Sequence, residues 1–271
     1  MSRRTAPARR RPHPRLGQHF LADSRIAGRI LDELDVRAGD SWLEIGAGHG
    51  EMTVGLADTG AAVVAVERDP KLAASLRARL AGFARARVVE SDILETRLGT
   101  LAREAGVARW RVYGNLPYYI TSPILQHLFA SIELVADIHV VVQREVAERL
   151  AARPHSRDYG YLSALAQFYA TPEILLAVPR GAFQPPPKVE SVLVRLVPPG
   201  ARAALGVADA EEFLRFVGTC FRMKRKTLFN NLRGLYDPER VRGTLAAAGL
   251  DVRARAEELT LGDFARLVRL L

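Results

Sequence analysis

From Asp40 to Val197 short apolar runs alternate with longer amphipathic stretches, the pattern of βα units around a mostly parallel sheet. Strands are predicted at 42–45, 62–67, 87–90, 109–113, 138–143, 173–178 and 189–197, with helices in the intervals. Asp23 is placed to cap a helix running through Leu34, and Ser122-Pro123 reads as an N-cap and first-turn pair opening a helix over 124–130. The last two strands are joined by a loop without helical periodicity, so they are expected to pair antiparallel at one edge. Val197-Pro198-Pro199-Gly200 then breaks the pattern, since no helix or central strand tolerates it. Beyond it come amphipathic helical patterns at 210–221, 226–234, 239–249 and 261–271 and no strand. The reading is an α/β domain over 16–199 followed by a small all-helical domain over 200–271.

The chain's 271 residues suffice for one large domain plus an appendage. No apolar run reaches the length of a membrane span, and the basic N-terminus has no apolar segment behind it, so neither a membrane location nor a secretory signal is expected. Residues 1–15 hold six Arg, three Pro and no acid, too little apolar surface to order itself, and are read as a disordered basic arm. A single cysteine, Cys220, excludes an internal disulfide and a multi-cysteine zinc site. No metal is expected, and a reducing cytoplasm is the natural location. The net charge of +9 favours a polyanionic partner, nucleic acid first. Because only four of the basic residues are Lys, a genomic bias toward Arg codons is a competing source of that charge.

The most chemically specific stretch is Tyr113-Gly114-Asn115-Leu116-Pro117-Tyr118. Pro117 fixes its own φ and keeps Leu116 out of helix, so the Leu116 carbonyl can accept a hydrogen bond beside the Asn115 amide, with Tyr118 as a stacking face. An amide, a carbonyl and an aromatic ring on one turn suit a planar base gripped by its exocyclic amine; an ordinary polar turn is the alternative. After the first strand, Glu44-Ile45-Gly46-Ala47-Gly48-His49-Gly50 is a glycine turn leading into a helix, and Glu67 ends the second strand where a carboxylate can bind ribose hydroxyls. The third glycine comes one position early for a dinucleotide fingerprint, and Glu51 stands where a pyrophosphate would be repelled. A donor without phosphates fits better, and S-adenosylmethionine meets that condition. Asp92, after the third strand, could accept from its adenine amine, or could simply cap a turn. With Asn115 ending the fourth strand, these positions gather at the carboxyl edge of the sheet.

The sequence resembles the KsgA family of bacterial 16S rRNA adenine dimethyltransferases, relatives of the Erm 23S rRNA methyltransferases, from about Leu16 to Leu271. The likeness is carried by Gly17-Gln18-His19-Phe20-Leu21, Glu44-Ile45-Gly46-Ala47-Gly48, Gly114-Asn115-Leu116-Pro117-Tyr118, Gln143-Arg144-Glu145-Val146-Ala147 and Phe183-Gln184-Pro185-Pro186-Pro187-Lys188-Val189-Glu190-Ser191. Arg225-Lys226-Thr227-Leu228-Phe229-Asn230-Asn231-Leu232, Arg255-Ala256-Glu257-Glu258-Leu259 and Leu116 itself resemble KsgA more than Erm. The resemblance implies a Rossmann-like domain using S-adenosylmethionine to methylate N6 of two adjacent adenosines in a hairpin loop near the 3′ end of 16S rRNA. The helical domain would recognise the RNA. It places cofactor contacts at His19, Leu21, Gly46, Gly48, Glu67, Asp92 and Asn115, and the reacting base at Asn115, Leu116, Pro117 and Tyr118, with Phe183 either a second stacking ring or a core aromatic. His19 departs from the family's usual Asn, Ala47 from a frequent Pro and Tyr119 from a frequent Asn.

RNA contacts are expected at Arg222, Lys224, Arg225 and Lys226 and along the N-terminal arm, with a solvated face as the alternative. The expected partner is 16S rRNA within the 30S subunit or its precursor, met by a monomer. Three other readings stay open: an Erm-type 23S enzyme, a ribosome-assembly or transcription factor retaining the fold, and a nicotinamide-dependent oxidoreductase, which Glu51 disfavours.

Overall fold

The computed structural model describes residues 19–271; the basic arm and the Gly17-Gln18 part of the first motif lie outside them. The first elements are β1 (Phe20–Leu21), α1 (Ser24–Leu34), β2 (Ser41–Ile45), α2 (Glu51–Asp58), β3 (Ala62–Glu67), α3 (Pro70–Arg79), β4 (Ala86–Glu90), α4 (Leu98–Ala105) and β5 (Trp110–Asn115). They continue through α5 (Thr121–Phe129), β6 (Val135–Gln143), α6 (Arg144–Ala151), α7 (Tyr161–Tyr169), β7 (Thr171–Val178), β8 (Phe183–Gln184) and β9 (Ser191–Val197). The tail is α8 (Arg202–Leu205), α9 (Ala210–Cys220), α10 (Leu228–Leu232), α11 (Pro238–Ala247) and α12 (Leu261–Leu270).

Seven strands form one sheet in the order β4-β3-β2-β5-β6-β9-β7. The first five run parallel, and β9 and β7 pair antiparallel at the edge, as the loop between them led one to expect. Side chains alternate across β2: Leu43 and Ile45 join an apolar cluster with α4, α5 and the C-terminal helices, while Trp42 faces α1 and α2 on the other side. The first cluster is continuous from Leu43 to Leu267, so α9, α10, α11 and α12 share a core with the sheet rather than hanging from it.

Helix starts follow local chemistry. The Asp23 carboxylate accepts from the Arg25 and Ile26 amides to open α1, which buries Ile26, Ile30 and Leu34. Asp69, Asp209 and Asp237 cap α3, α9 and α11 in the same way. The Ser122 cap is a miscue: α5 begins at Thr121, whose hydroxyl donates to the Pro117 carbonyl at 3.3 Å, and Ser122-Pro123 fall within the first turn, where a missing N–H costs nothing. A two-stranded ribbon, Phe20–Leu21 against Phe183–Gln184, was not visible in the pattern.

Arg111 of β5 locks the amino-terminal half together. Its guanidinium donates to Asp137 at 3.0 Å and Asp40 at 2.8 Å, to the Leu34 and Asp35 carbonyls at 2.7 and 2.9 Å, and lies 4.4 Å from the centre of the Trp42 ring. Replacing it with Met strands two half-buried carboxylates and the orphan carbonyls closing α1. Arg111→Met is expected to lower unfolding free energy by about 2–4 kcal/mol, read as a lower urea midpoint with an unchanged slope.

Candidate active site

Strand order reverses between β2 and β5, since the chain proceeds outward to β3 and β4 on one side and to β6 on the other. Open α/β sheets bind ligands in the crevice outside the carboxyl ends of such strands. A cavity of about 110 Å³ lies there, lined among others by His19, Gly46, Glu67, Asp92, Asn115 and Tyr118. The strand-end residues of β2, β3 and β5 and the residue two beyond β4 therefore meet at one cavity.

The glycine turn shapes its floor. Gly46, Gly48 and Gly50 have φ of 69°, 58° and 87°, a region that disfavours any Cβ. At Gly48 a Cβ would also sit 2.9 Å from the Phe20 ring. Glu67, only 4% exposed, pins this turn: one carboxylate oxygen accepts from the Gly48 amide at 2.9 Å and the other from the Asp69 amide at 2.8 Å. A carboxylate offers about four acceptor positions, so it can still take ribose hydroxyls while holding the loop. Asp92 accepts from the Leu94 amide at 3.0 Å and pairs with Arg68 at 3.2 Å, both residues lining the cavity. Glu51 stands at the first position of α2, paired with Arg79 at 3.2 Å. An acid thus occupies the helix terminus that would otherwise hold a phosphate. Gly46, Gly48, Leu21 and Asn115 also line a second, smaller cavity beneath the turn.

Asn115 is oriented by its own amide. Its Nδ2 donates to the His19 carbonyl at 2.8 Å, and among the described residues no donor reaches Oδ1, which is left to accept in a cavity-lining residue. Leu116 donates its N–H to the Val141 carbonyl at 3.1 Å, and no donor reaches its own carbonyl among the described residues. Pro117 separates that carbonyl from the turn at Tyr118–Ile120. Tyr118 is held through its hydroxyl by the buried Ser191 at 2.9 Å, with the His19 ring 5.7 Å away. Burial raises the Tyr118 phenol, which therefore stays neutral.

Two residues are placed more narrowly than the sequence left them. His19 lines the cavity, its carbonyl accepting from Asn115 and its ring bonded to the Pro185 carbonyl at 2.7 Å. Phe183 does not line the cavity: paired with Leu21 across the ribbon, its ring is 4% exposed within the α1–α2 side of the core. Of the two rings expected to stack, only Tyr118 lines the cavity, where Phe20 and the exposed Tyr119 also lie. Ser191 was quoted only as part of a motif, and nothing in the sequence announced that it anchors Tyr118.

Outside the cavity lining, Arg222, Lys224, Arg225 and Lys226 lie exposed in the turn between α9 and α10, and none pairs with a carboxylate among the described residues. The buried Asn231 shapes that turn, its side chain accepting from the Met223 amide at 2.9 Å and donating to the Thr227 carbonyl at 3.2 Å. Lys224 donates to the Arg157 carbonyl at 2.9 Å, which brings Arg157 into the same patch. No three His, Cys, Asp or Glu side chains among the described residues cluster as a metal site, and no helix there is long and apolar enough to cross a membrane.

The chain is 42% identical to the Ribosomal RNA small subunit methyltransferase A of Acidobacterium capsulatum, covering 100% of this chain and 95% of that protein. It is 41% identical to the protein of the same name from Nitrosococcus oceani, covering 96% of each. Among solved structures, a dimethyladenosine transferase from Plasmodium falciparum superposes with a TM-score of 0.78 at 24% identity, covering 93% of this chain and 96% of that one. The 23S rRNA methyltransferase ErmE superposes at 0.68 and 28% identity, covering 93% and 99%. The sequence pattern described as Ribosomal RNA adenine dimethylase matches residues 9–271, and with the relatives above it establishes that this chain belongs to the ribosomal RNA adenine dimethylase family.

Proposed function

We propose that this rRNA adenine dimethylase uses S-adenosylmethionine to convert two adjacent adenosines near the 3′ end of 16S rRNA to N6,N6-dimethyladenosines, acting as a cytoplasmic monomer on the 30S subunit or its precursor. The observation that carries the reading is the fixed direction of the Asn115 amide: with Nδ2 spent on His19, Oδ1 is left to accept beside the free Leu116 carbonyl.

The donor's fit rests on the residues present. Glu67 suits ribose hydroxyls, Asp92 an adenine amine and the glycine turn an amino-acid end, while Glu51 repels phosphate. When bound, S-adenosylmethionine supplies a methyl group on an electrophilic sulfonium. An adenine amine is a poor nucleophile because its lone pair is delocalised into the ring. Asn115 Oδ1 and the Leu116 carbonyl, each accepting from one N6 hydrogen, favour the pyramidal amine whose lone pair can reach that methyl in line. The departing thioether is neutral, so no side chain has to protonate it, and holding the reactants in place supplies most of the acceleration. Tyr118, fixed by Ser191, offers a ring face to a base flipped from its stack. Transfer leaves N6 cationic with two hydrogens; one leaves as a proton to solvent, a single hydrogen remains, and the amine must rotate before the second transfer.

The helical part would contribute phosphate contacts through Arg222, Lys224, Arg225 and Lys226. Reversing all four to Glu is expected to weaken RNA binding and to flatten the slope of log affinity against log salt by roughly three to four. Unchanged affinity at low and high salt would mark the patch as a solvated face. The substrate reading is tested by incubating purified 30S and 50S particles with protein and labelled donor: label is expected in 30S, near the 3′ end of 16S rRNA, and label in 50S alone would favour the 23S specificity.

A further inference from the structure

Two tyrosines follow one another at the turn after Pro117, and only the first has a partner within the fold. The Tyr118 hydroxyl is held by the buried Ser191 at 2.9 Å. On the other side Ile120 packs against the apolar cluster that includes α4 and α5. Residues 118–120 form a single 3₁₀ turn, in which successive side chains diverge by about 120°. With a neighbour fixed on each side, Tyr119 is forced outward. It is 53% exposed, and among the described residues it is the one aromatic among the large apolar side chains that are exposed. It nevertheless lines the cavity that Asn115, Leu116 and Tyr118 also line. An open ring therefore stands at the cavity mouth.

Apolar residues exposed singly are common on any surface and need no explanation; what sets Tyr119 apart is its place. A target adenine flipped against Tyr118 leaves its strand neighbour without a stacking partner on that side, and this unstacking is part of what flipping costs. The neighbouring base is one nucleotide away, a rise of about 3.4 Å along a stacked strand. Tyr119 is one residue from Tyr118, about 3.8 Å between Cα atoms, so consecutive rings of the chain can meet consecutive bases. Every base has a π face, and an aromatic ring binds it without reading hydrogen bonds. We propose that Tyr119 is a specificity-determining residue that stacks on the base beside the flipped adenosine, always on the same side of it along the strand. The inference rests on the reading of the substrate as two adjacent adenosines.

One-sidedness gives the two adenosines different neighbours. When one of them occupies the cavity, the base on the Tyr119 side is the other adenosine; when they exchange places, it is the flanking nucleotide. The contact is present in the bound complex and unchanged as the methyl moves, so it lowers the half-saturating concentration of 30S subunits and leaves the maximal rate alone. The ring face carries the effect and the hydroxyl does not. Tyr119→Phe should therefore match wild type, whereas Tyr119→Asn, the residue frequent in the resembled family, should behave like Tyr119→Ala.

The test uses 30S subunits reconstituted with 16S rRNA that carries both adenosines or is abasic at one or the other, with methyl transfer followed at saturating S-adenosylmethionine. On subunits with both adenosines, Tyr119→Ala and Tyr119→Asn should raise the half-saturating concentration about tenfold at an unchanged maximal rate, and Tyr119→Phe should not. On one abasic substrate wild type should itself lose about tenfold, and Tyr119→Ala should lose nothing more. On the other, wild type should keep its affinity and Tyr119→Ala should still lose. No loss in Tyr119→Ala on intact subunits would overturn the role, as would wild-type affinity lost on both abasic substrates or kept on both. Calorimetry with S-adenosylhomocysteine should give one affinity for wild type and all three variants; weakening in Tyr119→Ala would assign the ring to the donor and overturn the role too. If wild type labels no 30S substrate at all, the substrate reading itself fails.

Discussion

Asn115→Ala should reduce methyl transfer by at least about 10²–10³-fold, the order of effect seen when one preorganised hydrogen-bonding group is removed from a reacting centre. The loss should fall on the single-turnover rate at saturating donor and 30S subunits, because the Oδ1 contact matters most when the amine pyramidalises. Donor affinity should weaken by less than about tenfold, since Asn115 is only one of the groups lining the cavity. Asn115→Asp is an informative companion. A carboxylate still accepts, but it has no N–H to give the His19 carbonyl and would meet that carbonyl with like partial charge, so it too should be slow. A variant lacking the amide but keeping the wild-type rate would remove Asn115 from the chemistry altogether.

Glu67→Ala is expected to cost donor affinity about 10²–10³-fold, because two effects act together. The ribose loses a charged acceptor, worth about 1.5–3 kcal/mol, and the turn loses the carboxylate that ties the Gly48 and Asp69 amides to one end of β3. Those amides are left without a partner, so stability should also fall, by about 1–3 kcal/mol. Titration calorimetry reads the first effect and urea unfolding the second. Normal affinity in a measurably destabilised variant would make Glu67 a loop latch only. Weak affinity at full stability would make it a ligand contact only.

Much of this architecture was legible because the physics behind it is local. The alternation of apolar runs with amphipathic stretches placed all seven strands of the sheet within a few residues. The loop between 178 and 191 carried no helical periodicity, which correctly implied the antiparallel edge. Gly46, Glu67, Asp92 and Asn115 could be gathered in advance because each closes or follows a strand, and parallel strands deliver their carboxyl ends to one rim. What escaped was set by contacts across the fold. Phe20–Leu21 and Phe183–Gln184 are too short for periodicity to register, so the ribbon that buries Phe183 and brings His19 to Asn115 had no sequence signal. Arg111 looked like an ordinary polar position in a strand, although its partners lie as far as 77 residues away in sequence. Glu44 was read as a letter in a glycine motif. Only the fold shows it shut away beside Tyr113 with one oxygen unmatched among the described residues.

The most direct test of how this site works is a crystal structure of the protein with S-adenosylhomocysteine and a hairpin carrying the two adjacent adenosines. One distance decides it. With a target adenine flipped into the cavity, N6 should lie about 3 Å from both Asn115 Oδ1 and the Leu116 carbonyl, its ring against Tyr118 and its remaining face toward the sulfur. An adenine seated elsewhere, or Asn115 Oδ1 turned from N6 with the base bound, would contradict it.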